Sequence, residues 1–335
     1  FDIYAQLMEM AAAHPDFDAV VLSHVYVADA RRHGSRRLVT KAEELARQYG
    51  KPIAVVLFSD AQELAELKKL NTYPFFTSME QAFTALAASQ KNVARKERRS
   101  RKEECVPSPA ACAAAGKVAG LKAAGRTTLL AEGFEVAQAA GIAVAPWVTA
   151  REAADLAAVA SFPVAAKVLS RKAVHKTDAG GVALGIADAA GLREAFDDFA
   201  ARFSPFGEGE GVLVQAMAEP GVEMIVGGLR DPVFGPLVMV GLGGVLVEVL
   251  KDTAIRLAPI SRDEARDMVA ELRGARILQG VRGRPAADVE ALVDVVKAVG
   301  DLMAACPDVR EIDLNPVLVH SSGRGVTAVD VRIAL

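Results

Sequence analysis

The sequence is poor in groups that staple or ligate. Its three cysteines, Cys105, Cys112 and Cys306, show no CxxC spacing, and its five histidines form no HExxH pattern. This argues against a zinc centre and reads as reduced thiols in a cytoplasmic protein. Long hydrophobic runs are missing too: the longest apolar stretch, around Phe234 to Leu250, is broken by glycines and carries Glu248. It falls short of the ~20 apolar residues that cross a bilayer. There is no secretory leader pattern, and the opening Phe1-Asp-Ile enters a helical period at once, as expected of a piece of a larger protein. Charge of neither sign dominates. With 39 Lys+Arg against 42 Asp+Glu, nothing demands a nucleic acid or an anionic membrane as partner, and small-molecule chemistry is the expected class. The spacings G-x-x-x-x-G-K-[ST] and G-x-G-x-x-G are absent, which argues against P-loop and Rossmann sites.

What is present suffices for two or three domains in 335 residues. Residues 1–90 alternate helical and strand patterns: helices Tyr4–His14, Arg36–Gln48, Gln62–Leu70 and Met79–Ala88, with strands Ala19–Val25, Ile53–Leu57 and Pro74–Phe76. That alternation predicts an α/β layer with parallel strands. A charged run from Lys91 to Glu104, followed by Val106-Pro-Ser-Pro, reads as a solvated linker over 91–120. Lacking interleaved aromatics and carrying Glu97, Glu103 and Glu104, it is a poor nucleic-acid arm.

From Leu121 a second unit is expected. It holds helix Thr127–Ala140 stopped by Gly141, strand Ala143–Trp147, helix Arg151–Ala160, strands Val164–Val168 and Val182–Ile186, helix Ala189–Ala201 and strand Val212–Met217. Paired strands between Val222 and Leu242 give it a more antiparallel character than the first. Helices Asp263–Leu272 and Ala287–Ala304 and strands Glu311–Val319 and Gly325–Ile333 complete it.

Two segments carry chemistry. In the first, Lys167 ends the apolar stretch Phe162-Pro-Val-Ala-Ala, and Gly180 and Gly181 follow. A lysine offers charge to a phosphate, and glycines let backbone N–H groups approach its oxygens. In the second, Glu311-Ile-Asp313-Leu-Asn315-Pro316, Asp313 and Asn315 share a strand face by alternation, and Asp330 lies on the next strand. Oxygen donors of this kind suit magnesium, which keeps several waters and needs one or two protein ligands beside phosphates. A phosphate cradle together with a magnesium site points to ATP chemistry. His175, between Lys167 and the glycines, has an imidazole able to take up and release a phosphoryl group near neutral pH.

The motifs Ala166-Lys167-Val, His175-Lys-Thr-Asp-Ala-Gly-Gly-Val, Leu213-Val-Gln-Ala-Met, Gly221-Val-Glu223-Met, Asp231-Pro-Val-Phe-Gly-Pro, Gly241-Leu-Gly-Gly, Gly280-Val-Arg-Gly and Glu311-Ile-Asp-Leu-Asn-Pro occur in this order. Residues 121–335 thereby resemble the ATP-grasp module of the ADP-forming acyl-CoA synthetases, the superfamily of succinyl-CoA synthetase. Residues 1–90, ending in Tyr73-Pro-Phe-Phe-Thr-Ser-Met-Glu-Gln-Ala, resemble the later part of the flavodoxin-like ligase domain that precedes it. The fold so implied is α/β, a partial flavodoxin-like domain followed by a two-lobed ATP-grasp domain.

For the site, the resemblance implies that Lys167 contacts nucleotide phosphates, with Gly180 and Gly181 closing over them. Gln215, Ala216 and Met217 form the hinge that reads adenine, although succinyl-CoA synthetase typically has glutamate where Gln215 stands. Glu223 lies near the nucleotide, Asn315 and Asp330 bind magnesium, and Asp313 is a neighbouring or alternate ligand. The implied activity joins a carboxylic acid to CoA with cleavage of ATP to ADP and phosphate, through acyl phosphate and phosphohistidine, reversibly. His175 is then expected either to orient phosphate or to act as a second relay station after a histidine in an upstream domain. The acid and CoA would bind mainly to other domains or another subunit, and a homodimer is expected by analogy. A regulatory nucleotide-sensing module of an acetyltransferase fusion is the alternative. An acid–amine ligase is disfavoured by the flavodoxin-like unit. Among quieter positions, Trp147 is expected to pack, His320 to face solvent, Glu248 and Asp252 to line the cleft, and Arg282 and Arg284 to face phosphate, a partner domain or water.

Overall fold

The computed structural model describes residues 2–25, 32–59, 61–70, 73–100, 106–170, 180–203, 205–207, 210–244, 252–280 and 285–335. The chain divides into two compact units, Phe1–Glu103 and Glu104–Leu335.

In the first unit, helices α1 (Asp2–Ala13), α2 (Arg32–Tyr49), α3 (Ala61–Leu70) and α4 (Met79–Ser100) alternate with strands β1 (Val20–Val25), β2 (Ile53–Phe58) and β3 (Phe75–Phe76). The strands pair in parallel, in the order β1-β2-β3. The middle strand is apolar at every position because both its faces are covered. Ile53, Val55 and Leu57 pack with Met8, Leu38, Leu45 and Leu67, while Ala54 and Val56 pack with Ala82.

The stretch expected as a linker is helical on both sides of its prolines. From Met79 to Ser100 the chain has no Gly or Pro and is rich in the helix formers Lys, Arg, Glu, Gln and Ala, so α4 continues through the charged run to Ser100. Helix α5 (Pro109–Ala123) then opens the second unit, with Pro109 in its first turn and the Ser108 side chain accepting from Ala111 N–H. Ala114 and Val118 of this helix join the main core.

The second unit contains two antiparallel sheets. The larger is seven-stranded, in the order β11 (Thr253–Leu257), β10 (Gly235–Leu242), β9 (Val222–Asp231), β12 (Glu311–Val319), β14 (Val331–Ala334) and β4 (Thr128–Leu129), with β13 (Val326–Ala328) beside β12. The smaller has the order β5 (Trp147–Ala150), β8 (Gly211–Ala216), β6 (Val164–Leu169) and β7 (Val182–Ile186). Residues Thr128 and Leu129, expected as helix, form β4 instead, and the helix after them, α6 (Ala131–Ala139), is correspondingly shorter. The segment Arg151–Ala160 contains only a 3-10 helix, Ala153–Ala158.

Helices α8 (Arg262–Ala270) and α9 (Val289–Ala305) cover one face of the large sheet. Met224, Val226, Val238, Val240, Ile312 and Leu314 form the core with them. Contact is close at Gly228, where a β-carbon would lie 2.5 Å from Cγ of Met303, so only glycine lets α9 settle there. The small sheet packs its other side on α7 (Ala189–Phe203), where Leu192, Phe196 and Phe199 meet Val164, Ala166, Val212 and Val214. Among the described residues no helix is long and apolar enough to cross a membrane.

Candidate nucleotide site

Alternation on β6 and β8 divides the small sheet into two different faces. One face is the apolar layer on α7. The opposite face carries Ala165, Lys167 and Leu169 from β6 and Leu213 and Gln215 from β8. Leu169 and Leu213 belong to the core of the large sheet, so this second face looks toward that sheet.

Lys167 lies on this inner face, 7 % exposed. A buried ammonium is tolerated only when hydrogen-bonded or paired. Its Nζ donates to Oε1 of Gln215 at 3.0 Å and also to the carbonyl oxygen of Val329. That carbonyl leads directly into Asp330 on the large sheet, so the lysine joins one sheet to the other beside the expected magnesium ligands.

Gly180 and Gly181 lead into β7 next to Lys167, which is paired with Val182. Gly180 has φ +63°, a left-handed conformation natural to glycine. Its carbonyl accepts from Arg202 at 2.5 Å, while the Gly181 carbonyl accepts from Val168 N–H at 2.8 Å. His175 lies outside the described residues, as do Glu248, Arg282 and Arg284.

At the end of β8 the chain is held from both sides. Ala216 N–H donates to the Pro146 carbonyl at 2.9 Å and Met217 N–H to the Pro163 carbonyl at 3.3 Å. The Met217 side chain is 42 % exposed. Trp147 is a packing residue, as expected: it pairs with Gln215 across the strands and its ring centroid is 5.7 Å from that of Phe134.

The oxygen donors come from β12 and from Asp330, the residue just before β14. The β12–β9 register shifts between Leu314 and Val317, around Asn315, whose side chain is exposed. The Pro316 carbonyl accepts from Val329 N–H at 3.1 Å, tying this irregularity to the residue that receives Lys167. Asp313 and Asp330 are near enough to repel each other. Burial pushes the Asp313 carboxyl above its ordinary value, repulsion by Asp330 and then Glu311 adds to this, and Arg332 partly offsets it. A cation between the two carboxylates would relieve that repulsion. Among the described residues no group of three or more His, Cys, Asp and Glu is placed to hold a metal ion. Asp313 and Asp330 supply carboxylate oxygens of the type that a hard cation keeping waters and phosphate oxygens takes, and Asn315 lies two residues along the strand from Asp313.

Glu223 sits at the start of β9, opposite Leu318, with its side chain exposed. Its carbonyl accepts from Gly243 N–H at 2.7 Å, and Gly244, at φ +67°, turns close under its carboxylate.

Two expectations are corrected. Asp252 is buried, and its carboxylate accepts from the N–H groups of Arg273 and Gly274 at 2.9 and 2.8 Å, so it anchors a turn instead of lining the cleft. His320 is buried as well: Nε2 meets Oγ1 of Thr327 at 2.8 Å because β13 folds back over it. The Val329 carbonyl was not a candidate in the sequence. A backbone oxygen carries no residue-type signal, and only the approach of the two sheets reveals it.

Two antiparallel sheets joined through a buried lysine, with oxygen donors alongside, define a grasp-type fold built to hold a phosphorylated ligand and a cation. Residues 120–335 match the ATP-grasp domain family. The chain belongs to this family, in the form found in ADP-forming acid–CoA ligases. It is 47 % identical over 211 residues to acetate–CoA ligase [ADP-forming] I of Archaeoglobus fulgidus, covering 61 % of this chain and 30 % of that protein. It is 39 % identical over 220 residues to the beta subunit of acetate–CoA ligase [ADP-forming] I of Pyrococcus furiosus, covering 64 % of this chain and 94 % of the subunit. Among solved structures it resembles the dinucleotide forming acetyl-coenzyme A synthetase 1 of Ca. Korarchaeum cryptofilum, in complex with coenzyme A, Ca-AMPCP and HgCl+. The TM-score there is 0.61 at 37 % identity, over 65 % of this chain and 97 % of that one. The chain thus spans 30 % of the length of the Archaeoglobus ligase.

Proposed function

We propose that this chain is the nucleotide-handling part of an ADP-forming acid–CoA ligase, an enzyme that converts acid, CoA and ATP to acyl-CoA, ADP and phosphate through acyl phosphate and phosphohistidine, reversibly. The observation that carries the reading is the seat of Lys167, buried between two sheets and bonded to the residue before Asp330. There its ammonium balances phosphate charge as the γ-phosphoryl group leaves or returns. Backbone N–H groups at Gly180 and Gly181 approach the phosphates, and the hinge Gln215-Ala216-Met217, whose N–H groups at 216 and 217 are held by Pro146 and Pro163, offers carbonyl oxygens to the adenine edge. Glu223 stands at the rim of the same cleft.

Asn315, Asp330 and Asp313 would hold magnesium, which when bound neutralises charge on the phosphates. His175 either orients the phosphoryl group or relays it between an upstream histidine and ADP. Acid and CoA bind through domains upstream or on another subunit, in keeping with a relative that is itself a beta subunit. A homodimer and a cytoplasmic setting complete the reading, as do the domain limits 1–90 for the flavodoxin-like part, 91–120 for the connection and 121–335 for the ATP-grasp part. The sensing alternative is disfavoured, since the relatives named above are acid–CoA ligases and synthetases.

Calorimetry of ADP with and without magnesium tests the reading. Magnesium-dependent binding that Asn315→Ala weakens by about tenfold, the equivalent of ~1.4 kcal/mol, is the expected result. Equal binding by both proteins, or none by a folded wild type, rejects it.

A further inference from the structure

Gln215 is 2 % exposed, and a buried amide needs partners at both ends. Its Nε2 donates to the Ala145 carbonyl at 3.4 Å, and its Oε1 accepts from the Lys167 ammonium at 3.0 Å. The two bonds fix the sense of the amide. Reversing it would set two donors against each other at the lysine and two acceptors at Ala145.

The register makes this contact reachable. Ala165 stands opposite Gln215, and Lys167 opposite Leu213, so Gln215 and Lys167 are diagonal neighbours on one face of the sheet. Such neighbours lie about 7–8 Å apart, a span a lysine side chain covers. The same residue begins the hinge whose next two N–H groups are held by Pro146 and Pro163. Gln215 therefore connects the place proposed for the base to the cation proposed for the phosphates.

The Gln215 amide oxygen and the Val329 carbonyl are uncharged acceptors. They direct the ammonium without adding negative charge beside it. A glutamate at 215 would keep the shape and the hydrogen bond while placing a carboxylate at the distance of an ion pair. In a buried site such a charge acts with little screening.

We propose that Gln215 is a positioning residue: it aims Lys167 at the nucleotide phosphates and, by being an amide, sets how strongly the site prefers a phosphorylated nucleotide to the bare nucleoside. This rests on the reading of Lys167 as the phosphate contact.

The test measures binding of ADP with magnesium and, by competition, of adenosine to the 335-residue chain. Wild type is compared with Gln215→Glu, Gln215→Leu and Lys167→Met. Gln215→Glu should weaken ADP about tenfold or more and leave adenosine within about twofold; Gln215→Leu should weaken ADP by a smaller factor, about threefold to tenfold. Unchanged ADP binding in folded Gln215→Glu overturns the inference if Lys167→Met weakens ADP. If Lys167→Met also leaves ADP unchanged, the phosphate role of Lys167 is rejected and the inference with it. Equal loss of ADP and adenosine in Gln215→Glu shows a general disturbance and overturns the positioning role. Should Gln215→Glu fail to fold, Gln215→Leu decides by the same two ligands.

Discussion

Strands β2 and β6 are both six residues long and both buried along almost their whole length, yet one is entirely apolar and the other carries Lys167 in its middle. In β2, Ile-Ala-Val-Val-Leu-Phe meets hydrophobic side chains on both faces, and nothing there pairs with a charge. In β6, Val-Ala-Ala-Lys-Val-Leu puts Val164 and Ala166 on α7 and Leu169 in the core of the large sheet, and turns its lysine toward Gln215 and Val329. Equal burial thus covers two situations. A strand buried among hydrocarbon alone excludes charge, whereas one that faces a second sheet keeps a charge by supplying it with acceptors.

Exchanging the two situations is the most severe test of this contrast. Val55, 0 % exposed, replaced by lysine should destabilise the first unit by about 4 kcal/mol or more, since the new ammonium has only hydrocarbon around it. Thermal unfolding followed by circular dichroism reads the loss. Lys167→Met goes the other way. It removes a desolvated charge but leaves Gln215 and the Val329 carbonyl short of a donor, so the net change in stability should stay within about 2 kcal/mol. Urea denaturation checks it, and a cost equal to that of Val55→Lys would break the comparison.

A smaller effect concerns a buried thiol. Burial pushes the Cys306 thiol above its ordinary value of 9.0, outweighing the opposing backbone hydrogen bonds and the pull of Arg230. Because the folded state holds this proton more tightly than the unfolded chain, the contribution is intact below about pH 9 and is lost as pH rises through the alkaline range. At pH 8 a maleimide should label exposed Cys112 readily and Cys306 only on unfolding, as read by peptide mass mapping. Comparable labelling of the two would show that burial does not protect the thiol.

Much of this architecture is legible from pattern. The alternation of Ile53–Leu57 with the helical periods on either side identified a parallel layer, and the strands Val222 to Leu242 announced an antiparallel one. The misses have physical causes. The helix in the charged run after Lys91 is hidden in the sequence because charge density is a sign of exposure, and exposure does not oppose a helix built from good helix formers. Thr128 and Leu129 carry no local signal strong enough to separate them from the helix that follows; pairing with Ile333 and Ala334 makes them a strand. Strand β11 carries little local signal, because Thr-Ala-Ile-Arg-Leu is only five residues long and its polar and apolar residues do not alternate. At the site, Lys167, Gln215, Asp313, Asn315 and Asp330 were each visible as chemistry.

What the sequence determined by itself is therefore the set of groups and their order: a lysine at the end of an apolar run, glycines after it, an amide near the end of a strand, and oxygen donors near the end. These follow from residue type and spacing, which are local. Only the tertiary structure decided that the lysine reaches across to the Val329 carbonyl and is aimed by Gln215. These contacts span 162 and 48 positions in the chain, and no periodicity reports on groups brought together by the packing of one sheet against another.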